Sequence, residues 1–500
     1  MRAKLFLKNG IIIIAMKLFS YFMEFVCRTV FIHTIAMEYV GVRGLFSNIL
    51  AILSLTELGI GTVLVYTMYK PLAENDIAKL KALTHYCKKA YGIIAVVIGV
   101  AGIALTPFLP YLIKDCPQID GLYIIYLLYL LNTVCSYLFM GNVSILSADQ
   151  KQYVVTLCSS MMNALRNLAQ IILLILTGNI YLFLLIQIPF TLFSNLILSI
   201  RAKKLYPFLK EKDVPALSKA EKQEISSNTF AMFQHRMGAT ILGSTDNIII
   251  SRFIGITAVA VNDNYVLITS VISSTLNQVF QALTSSVGNL NATSSREDSY
   301  HVFQILYFAG FWFYTFCSAC LFVLLNPFIE LVWGKEYLFS IPVVAIICVN
   351  FYIVGIRKIP IVFKESIGLF WQDRYKPIIE AVMNIIVSIF AVQYWGVFGI
   401  FAGTFISMVS TSLWVEPHVL FKYGFKMSWR EFWKTSICYY LLSFGIVYAT
   451  SRLADLYQGT LLMNLVVRFI ICLMVPNLII VLCFVKKKEF KELRYSILSR

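Results

Sequence analysis

Long apolar stretches recur along the whole chain and constrain its fold more than any other feature. We count fourteen of them, at 9–36, 44–66, 89–110, 122–147, 153–176, 179–200, 227–251, 258–289, 301–325, 339–362, 377–394, 397–416, 435–451 and 461–485. A helix of about 20 apolar residues spans the hydrocarbon core of a bilayer. Because the runs are continuous rather than alternating, they predict an all-α, polytopic membrane protein with about fourteen transmembrane helices.

The composition supports this class. Of the 500 residues, 59% are hydrophobic and 14% are charged, whereas soluble domains carry roughly 25% charged residues. The formal net charge of +16 would suggest nucleic acid binding in a soluble protein. Here the bias of Lys and Arg toward cytoplasmic loops explains it, and no nucleic acid partner is predicted. Eleven Cys and five His lack metal-ligand spacing, so we predict neither a metal site nor a cofactor.

The distribution of basic residues predicts the orientation. With the N-terminus in the cytoplasm, 30 of the 42 Lys and Arg residues fall in cytoplasmic segments. The five assigned to external loops are Arg43, Lys114, Arg252, Lys335 and Arg452, and the seven within spans are Lys17, Arg28, Arg166, Arg236, Arg357, Lys358 and Arg468. This asymmetry predicts that both termini are cytoplasmic.

A polar, basic segment beginning at Arg201 divides the spans into six, six and two. We therefore predict an N-terminal lobe at 1–202, a cytoplasmic linker at 203–226, a C-terminal lobe at 227–418, and a final helix pair with a basic tail at 419–500. Both six-helix lobes begin on the same side, so the repeat is parallel and pseudo-symmetric. Such duplication favours a transporter with a central cavity.

Charged residues share one face of the first helix. Lys17, Glu24 and Arg28 are seven and four residues apart, which aligns them on a helix, while Phe19 and Phe22 face away toward lipid. One interpretation is a stripe that lines a cavity. The alternative is that the two cations extend to opposite membrane surfaces while Glu24 pairs with Arg28.

The fifth helix carries a polar stripe at the middle of the membrane. Its residues Asn163, Arg166, Asn167 and Gln170 follow the spacing i, i+3, i+4, i+7. A charge at this depth costs at least about 2.5–3.5 kcal/mol, so Arg166 is expected to face a cavity or another helix.

Three acidic or imidazole side chains are candidates for ion coupling. His235 and Asp246 lie eleven residues apart on one face of the seventh helix, where a carboxylate near a His can carry a proton or an alkali cation. An interhelical hydrogen bond is the structural alternative. Glu57, on the second helix, is the third candidate.

The remaining polar groups complete a cation-rich cavity. Asn277 and Gln281 lie one turn apart on the eighth helix and suit sugars or helix contacts, whereas Arg357 and Lys358 lie near a cytoplasmic end, where snorkelling explains them. The predicted cavity residues are Lys17, Glu24, Arg28, Asn163, Arg166, Asn167, Gln170, Arg236, Asn277 and Gln281. We expect an anionic, hydroxyl-bearing ligand and no catalytic residues.

Two segments resemble a known family. "EYVGVRGLFSNILAILSLTELGIGTVLVYTMYKPLAENDIAKLKAL" (38–83), followed by "KKAYGII" (88–94), is similar to the start of bacterial polysaccharide repeat-unit flippases, the Wzx-type O-antigen and capsule exporters. "STDNIIISRFIG" (244–255) and "GNLNA" (288–292) look like the matching part of the second half. The resemblance covers the whole chain through the 6 + 6 + 2 layout, but Asp263 departs from it and receives no role.

The resemblance implies the MOP superfamily fold, shared with MATE exporters and lipid II flippases. It implies that the chain moves an undecaprenyl-pyrophosphate-linked oligosaccharide from the cytoplasmic to the outer leaflet of a bacterial inner membrane, by alternating access. It also implies a polysaccharide polymerase and other export proteins as partners. No ATP-binding motif is visible, so the energy is expected to come from an ion gradient, of protons or sodium, or from mass action. The alternative function is a MATE-like multidrug or cation antiporter. An enzyme of the same pathway is disfavoured, because the predicted external loops are short.

Overall fold

The computed structural model describes the backbone of residues 2–57, 59–114, 119–211, 213–369, 371–457 and 459–498. Within these ranges, the structure describes the backbone but not the side chains of residues 2–14, 56, 231, 234–236, 239, 279, 281–286, 289, 291–293 and 496–498. The described residues form helices and connecting turns without any strand, which confirms the predicted all-α class.

The chain divides into two compact units, residues 1–260 and 261–500. The helices that begin in the first unit are α1 (Arg2–Thr34), α2 (Met37–Leu53), α3 (Ile60–Ala73), α4 (Ile77–Leu105), α5 (Leu122–Tyr137), α6 (Met140–Ala148), α7 (Gln152–Thr177), α8 (Ile180–Leu185), α9 (Gln187–Leu205), α10 (Lys219–Phe253) and α11 (Ile256–Thr293). Helix α10 packs against α2 and α3, which places the seventh predicted span in this unit.

The second unit contains the rest of α11 and the helices that follow it. These are α12 (Arg296–Trp333), α13 (Ile341–Ile356), α14 (Lys358–Ser366), α15 (Lys376–Ser410), α16 (Ser412–Val419), α17 (Arg430–Asp455), α18 (Leu461–Phe484) and α19 (Lys488–Leu498). The predicted domains at 1–202, 203–226, 227–418 and 419–500 follow the helix repeat rather than this packing, and they stay a prediction.

The helices make the chain a multi-pass membrane protein. Among the described residues, nine helices are long and apolar enough to cross a membrane, or up to ten if the bent pair α5 and α6 counts as one span. Each of the fourteen predicted spans coincides with a helix or with neighbouring helices joined at a break. The number of fourteen crossings itself stays a prediction.

Two spans predicted to be continuous are broken at residues with a positive φ. The second changes from α2 to a 3₁₀ turn at Ser54–Glu57 and resumes as α3 after Gly59, whose φ is 101°. The fourth bends by 50° between α5 and α6, where Phe139 has a φ of 70°. These backbone conformations leave the helical region, so an uninterrupted helix is wrong at both places.

Helix α15 is a tight hairpin of two antiparallel legs. Gly396 (φ 57°, ψ −137°) turns the chain, and only Gly adopts such values without strain. The legs are joined by polar side chains: Asn384 donates to the Thr404 hydroxyl at 2.9 Å, and the Ser388 hydroxyl donates to the Ile400 carbonyl at 3.1 Å. The predicted separation of the eleventh and twelfth spans at this point is consistent with the turn.

Aromatic rings hold the last helices against α12. The rings of Phe311 and Tyr439 stack with centroids 4.2 Å apart, and Phe308 lies 5.0 Å from Phe484 of α18. Hydrogen bonds accompany the rings, since the Trp312 indole donates to Asn477 at 2.7 Å. The final helix pair is therefore packed into the second unit rather than loosely attached to it.

A close helix contact in the first unit depends on Gly41. A Cβ at this position of α2 would overlap the carbonyl oxygen of Ile256, at the start of α11. Backbone atoms cannot move aside as a flexible side chain does. We therefore expect Gly41→Ala to lower the free energy of unfolding of the full chain by about 1–3 kcal/mol.

Thermal unfolding of the purified protein in detergent measures this effect. Gly92→Ala is the matched control, because a Cβ at Gly92 meets no atom within 4 Å and Ala favours a helix interior. Equal melting temperatures for Gly41→Ala and the unchanged protein would contradict the close contact.

A polar clamp outside the membrane spans joins the α6–α7 turn to the end of α9. The Asp149 carboxylate accepts hydrogen bonds from the Lys151 ammonium and from the Tyr206 hydroxyl, each at 2.5 Å. Burial opposes ionisation of Asp149, but these two hydrogen bonds outweigh it and hold the pKa of the carboxyl below its ordinary value. The same contacts raise the pKa of Lys151.

The sign of the Asp149 shift predicts a pH dependence. A carboxyl group whose pKa is lower in the folded state than in the unfolded state stabilises the fold at pH values above its unfolded pKa of about 3.9. This stabilisation is lost as the pH falls through the pKa of the folded state. We expect Asp149→Asn to cost up to about 1 kcal/mol at pH 7, because the clamp is partly exposed. The difference in melting temperature between the two proteins should be constant from pH 7 to 5 and shrink below about pH 4. A difference that disappears between pH 7 and 5 would contradict the assignment.

Candidate functional site

A polar cavity of about 300 Å³ lies inside the first unit. Six helices and one 3₁₀ turn supply its walls, and most of the lining side chains carry a charge, an amide or a hydroxyl. The lining residues are Glu24, Cys27, Arg43, Ser47, Leu50, Ala51, Ser54, Tyr129, Asn132, Thr133, Arg166, Asn167, Gln170, Phe183 and Gln187. In a helix bundle packed mainly by apolar side chains, this concentration of polar groups makes the cavity the candidate binding site.

The charges in the cavity are two cations and one acid. Arg43 and Arg166 face it from α2 and α7, and Glu24 faces it from α1. The Nε atom of Arg166 is buried and has no hydrogen-bond partner among the described residues. A guanidinium with a free buried donor, beside a polar space, is suited to an anionic ligand.

Amide groups form a fixed wall of the cavity. Gln170 donates to the Phe183 carbonyl at 2.9 Å, and its Oε1 lies 3.9 Å from the Cys27 sulfur. Asn132 accepts a hydrogen bond from Thr191 at 2.8 Å. Because these bonds hold the amides in place, the wall is shaped before any ligand arrives, and the remaining donors and acceptors are preorganised for hydroxyl groups.

The charged stripe of α1 separates into three different environments. Glu24 lines the cavity. Arg28 is only 4% exposed, and its guanidinium donates to the Ala260 carbonyl at 3.5 Å. Lys17 is half-buried and lies outside the cavity lining. Phe19 and Phe22, at 50% and 60% exposure, face outward as predicted.

The polar stripe of α7 is only partly turned toward the cavity. Arg166, Asn167 and Gln170 line it, whereas Asn163 is exposed and does not. Asn163 lies one turn earlier, where the neighbouring Met161 and Leu165 are also exposed. This turn of α7 is therefore exposed on more than one side.

The ion-coupling candidates lie outside the cavity lining. One carboxylate oxygen of Asp246 is buried and has no hydrogen-bond partner among the described residues. The side chains of His235, Arg236 and Gln281 lie outside the described residues, so the predicted pairing of His235 with Asp246 stays a prediction. Glu57 is half-buried in the 3₁₀ turn after α2, and Asn277 is half-buried on α11.

Arg43 is the cavity residue that the sequence reasoning missed. It was assigned to an external loop, which is wrong, because α2 begins at Met37 and includes it. The missed signal is the spacing of Arg43, Ser47 and Ser54, which places three polar residues four and seven positions apart on the cavity face.

A second group of ionic residues, in the second unit, is fully paired. Arg357 donates to both carboxylate oxygens of Glu416, at 3.0 and 2.9 Å, and to Glu380 at 3.3 Å. Lys376 also binds Glu416, and Ser412 binds Glu380. Snorkelling is therefore the wrong explanation for Arg357, whose side chain is 11% exposed. These carboxylates neutralise the guanidinium in its buried position. The cluster joins the residue between α13 and α14 to α15 and α16.

Comparison with protein families and with curated proteins finds no match. Among solved structures, the lipid II flippase MurJ in its inward closed conformation has a TM-score of 0.69 and 13% identity, over 98% of this chain and 100% of that chain. An inward-facing multidrug resistance MATE family transporter of the MOP superfamily has a TM-score of 0.65 and 14% identity, over 81% of this chain and 96% of that chain. This chain has the fold of the MOP superfamily.

A third solved structure, also of a MATE transporter, has a similar fold. A single-residue mutant of the Vibrio cholerae MATE transporter VcmN has a TM-score of 0.55 and 13% identity, over 84% of this chain and 98% of that chain. The MOP fold predicted from the sequence is thereby confirmed. At such identities the shared property is the fold, so the ligand of this MOP-fold chain has to be argued from its own cavity.

The charges of the cavity predict how a reporter thiol at Ser47 would react. Ser47 is exposed and lies one turn from Arg43 on the cavity lining. In Ser47→Cys, the nearby guanidinium groups should favour an anionic methanethiosulfonate reagent over a cationic one by about tenfold. The measurement is the ratio of the two labelling rates in purified protein, after subtraction of the native cysteine background.

Two comparisons isolate the cause of the preference. Adding Arg166→Gln to Ser47→Cys should reduce the ratio several-fold. Ser227→Cys, at an exposed position of α10 outside the cavity lining, reports the intrinsic reactivity of the reagents. A Ser47→Cys ratio equal to that of Ser227→Cys would show that the cavity is not electropositive.

Proposed function

We propose that this protein is a flippase for an undecaprenyl-pyrophosphate-linked oligosaccharide, moving the repeat unit from the cytoplasmic to the outer leaflet by alternating access. The observation that carries the proposal is the first-unit cavity, in which Arg43 and Arg166 stand beside a wall of amides and hydroxyls. The whole-chain fold similarity to a lipid II flippase supports a lipid-linked substrate.

The chemistry of this cavity matches the polar part of such a substrate. Each phosphate of a pyrophosphate offers terminal oxygens to which a guanidinium group can donate two parallel hydrogen bonds, and the free donor of Arg166 is available for one such oxygen. Sugar hydroxyls both donate and accept, so they suit the Asn132, Thr133 and Gln187 side chains. The isoprenoid tail is apolar and can stay in the lipid. The chain would move this molecule without changing a covalent bond.

Glu24 has a defined part in this proposal. It is the one acid among the cavity-lining residues, beside the two arginines. Before substrate enters, its carboxylate reduces the cost of keeping two guanidinium groups in a low-dielectric space. A pyrophosphate that enters the cavity would take over that neutralisation.

We further propose a bacterial inner membrane location with both termini in the cytoplasm, beside a polysaccharide polymerase and other export proteins. Coupling to protons or sodium remains assigned to His235, Asp246 and Glu57. Of these, Asp246 has the most specific support, because a buried carboxylate oxygen without a partner among the described residues can accept a proton or a cation. Collapse of both gradients in vesicles would leave transport unchanged if this coupling assignment is wrong.

A MATE-like antiporter of organic cations is the second candidate, favoured by the similarity to a MATE family transporter and by the presence of Glu24 in the cavity. The two functions differ in the role of the arginines. A cation would be repelled by Arg43 and Arg166, so removing these charges should improve its transport, whereas the flippase should lose activity.

Reconstituted vesicles provide the decisive experiment. A fluorescent undecaprenyl-pyrophosphate oligosaccharide is placed in one leaflet, and its transfer is followed by loss of signal to a membrane-impermeant quencher. Because the arginines bind the pyrophosphate, we expect Arg166→Gln and Arg43→Gln each to slow transfer at least tenfold. Arg201→Gln, at an exposed position on α9, should transfer at the rate of the unchanged protein.

The outcomes separate the candidates. Unchanged transfer in both cavity variants would exclude the cavity as the pyrophosphate site. Faster uptake of an organic cation by these variants, with no lipid transfer by the unchanged protein, would establish the antiporter instead.

A further inference from the structure

The C-terminal helix α19 is fixed against α12 by aromatic stacking. It begins only a few residues after α18 ends at Phe484. The Phe490 ring, 9% exposed, stacks on Trp312 with centroids 5.7 Å apart and planes at 16°, and it also contacts Phe308. These contacts fix which face of α19 points away from the protein.

Both acidic side chains of α19 lie on the side of the helix that faces α12. The Glu492 carboxylate lies 2.5 Å from the His301 imidazole and 3.7 Å from the Lys488 ammonium. Glu489 lines a small cavity together with Tyr300 and Gln304 of α12. Their negative charge is thus directed inward and partly matched there.

The basic side chains of the same segment point outward. Those exposed are Lys486, Lys487, Lys488, Lys491 and Arg494. Although acids and bases alternate in the sequence "KKKEFKELR", the five basic side chains are exposed whereas the two acidic ones are half-buried, so cations outnumber acids on the outer surface. We call this surface, which includes the two lysines just before the helix, the basic face of α19.

We propose that the basic face of α19 binds the headgroups of anionic phospholipids in the adjacent leaflet. Helix α18 is apolar and long enough to cross a membrane, so α19 starts where that membrane ends. Cations at this distance lie within the range over which a negatively charged leaflet attracts them, each adding about fivefold to the affinity. Tyr495, 75% exposed, is an aromatic residue of the kind enriched at the interface.

This binding site is independent of the proposed transport cavity. A basic tail that only sets membrane orientation would need neither a docked helix nor inward-turned acids. The arrangement on α19 instead presents a surface with an excess of cations at a fixed position. The predicted ligand is a phosphodiester headgroup such as that of phosphatidylglycerol.

Hydrogen–deuterium exchange of the full chain in nanodiscs tests the proposal. We compare discs of phosphatidylcholine alone with discs in which one lipid in four is phosphatidylglycerol. Amides of residues 486–495 should exchange about tenfold more slowly in the anionic discs, and 0.5 M salt should remove most of the difference. Equal exchange in the two kinds of disc would overturn the proposal and would leave an acidic protein partner as the alternative ligand. This comparison needs no variant of the protein.

A pair of charge-matched variants locates the effect. Lys488→Gln with Lys491→Gln and Arg494→Gln should abolish the dependence on phosphatidylglycerol, while exchange of residues 300–312 shows that α12 is intact. The control variant combines K204Q, K219Q and K222Q and so removes three exposed cations elsewhere. In this variant the dependence of exchange on phosphatidylglycerol should be unchanged. Equal loss in the two triple variants would show that net charge, rather than the basic face of α19, attracts the lipid.

Discussion

Every buried backbone group needs a hydrogen bond, and this requirement determines where the chain can depart from a helix. In lipid, a helix satisfies that need within its own segment, and each departure from the helix has to be supported by other groups. The departures discussed above are localised: the 3₁₀ turn at Ser54–Glu57, the bend at Phe139 and the turn at Gly396. The first of them also contributes Ser54 to the polar cavity, so the irregular backbone lies beside the site where polar groups gather.

The two units treat buried arginine in opposite ways. Arg357 is bound by two carboxylates, and the cluster uses its charge to join helices. Arg166 keeps a buried donor without a partner among the described residues, next to an open space. Breaking a buried ion pair is costly, so the first arrangement resists change. In the second arrangement Glu24 offsets only part of the desolvation cost, and an anion that enters the cavity would offset more of it.

Helical periodicity was sufficient to predict several of the residues that line the first-unit cavity. The spacing of Glu24, Arg166, Asn167 and Gln170 identified residues that line one cavity. The same rule left out Arg43 only because the second span was predicted to begin at residue 44, whereas α2 begins at Met37. Arg357 was misinterpreted for another reason: its partner Glu416 is 59 residues away, and no local pattern reveals such a pair. The helix breaks were also beyond periodicity, since a single Gly is compatible with a continuous helix.

The hairpin of α15 has a consequence for how the chain is made. Asn384, Ser388 and Thr404 are joined across the two legs, and Gly396 leaves almost no loop between them. A lone first leg leaving the translocon would expose an unpaired amide and hydroxyl to lipid. We therefore expect the two legs of α15 to leave the translocon as a pair, so that this hairpin rather than a single helix is inserted at this point of the chain.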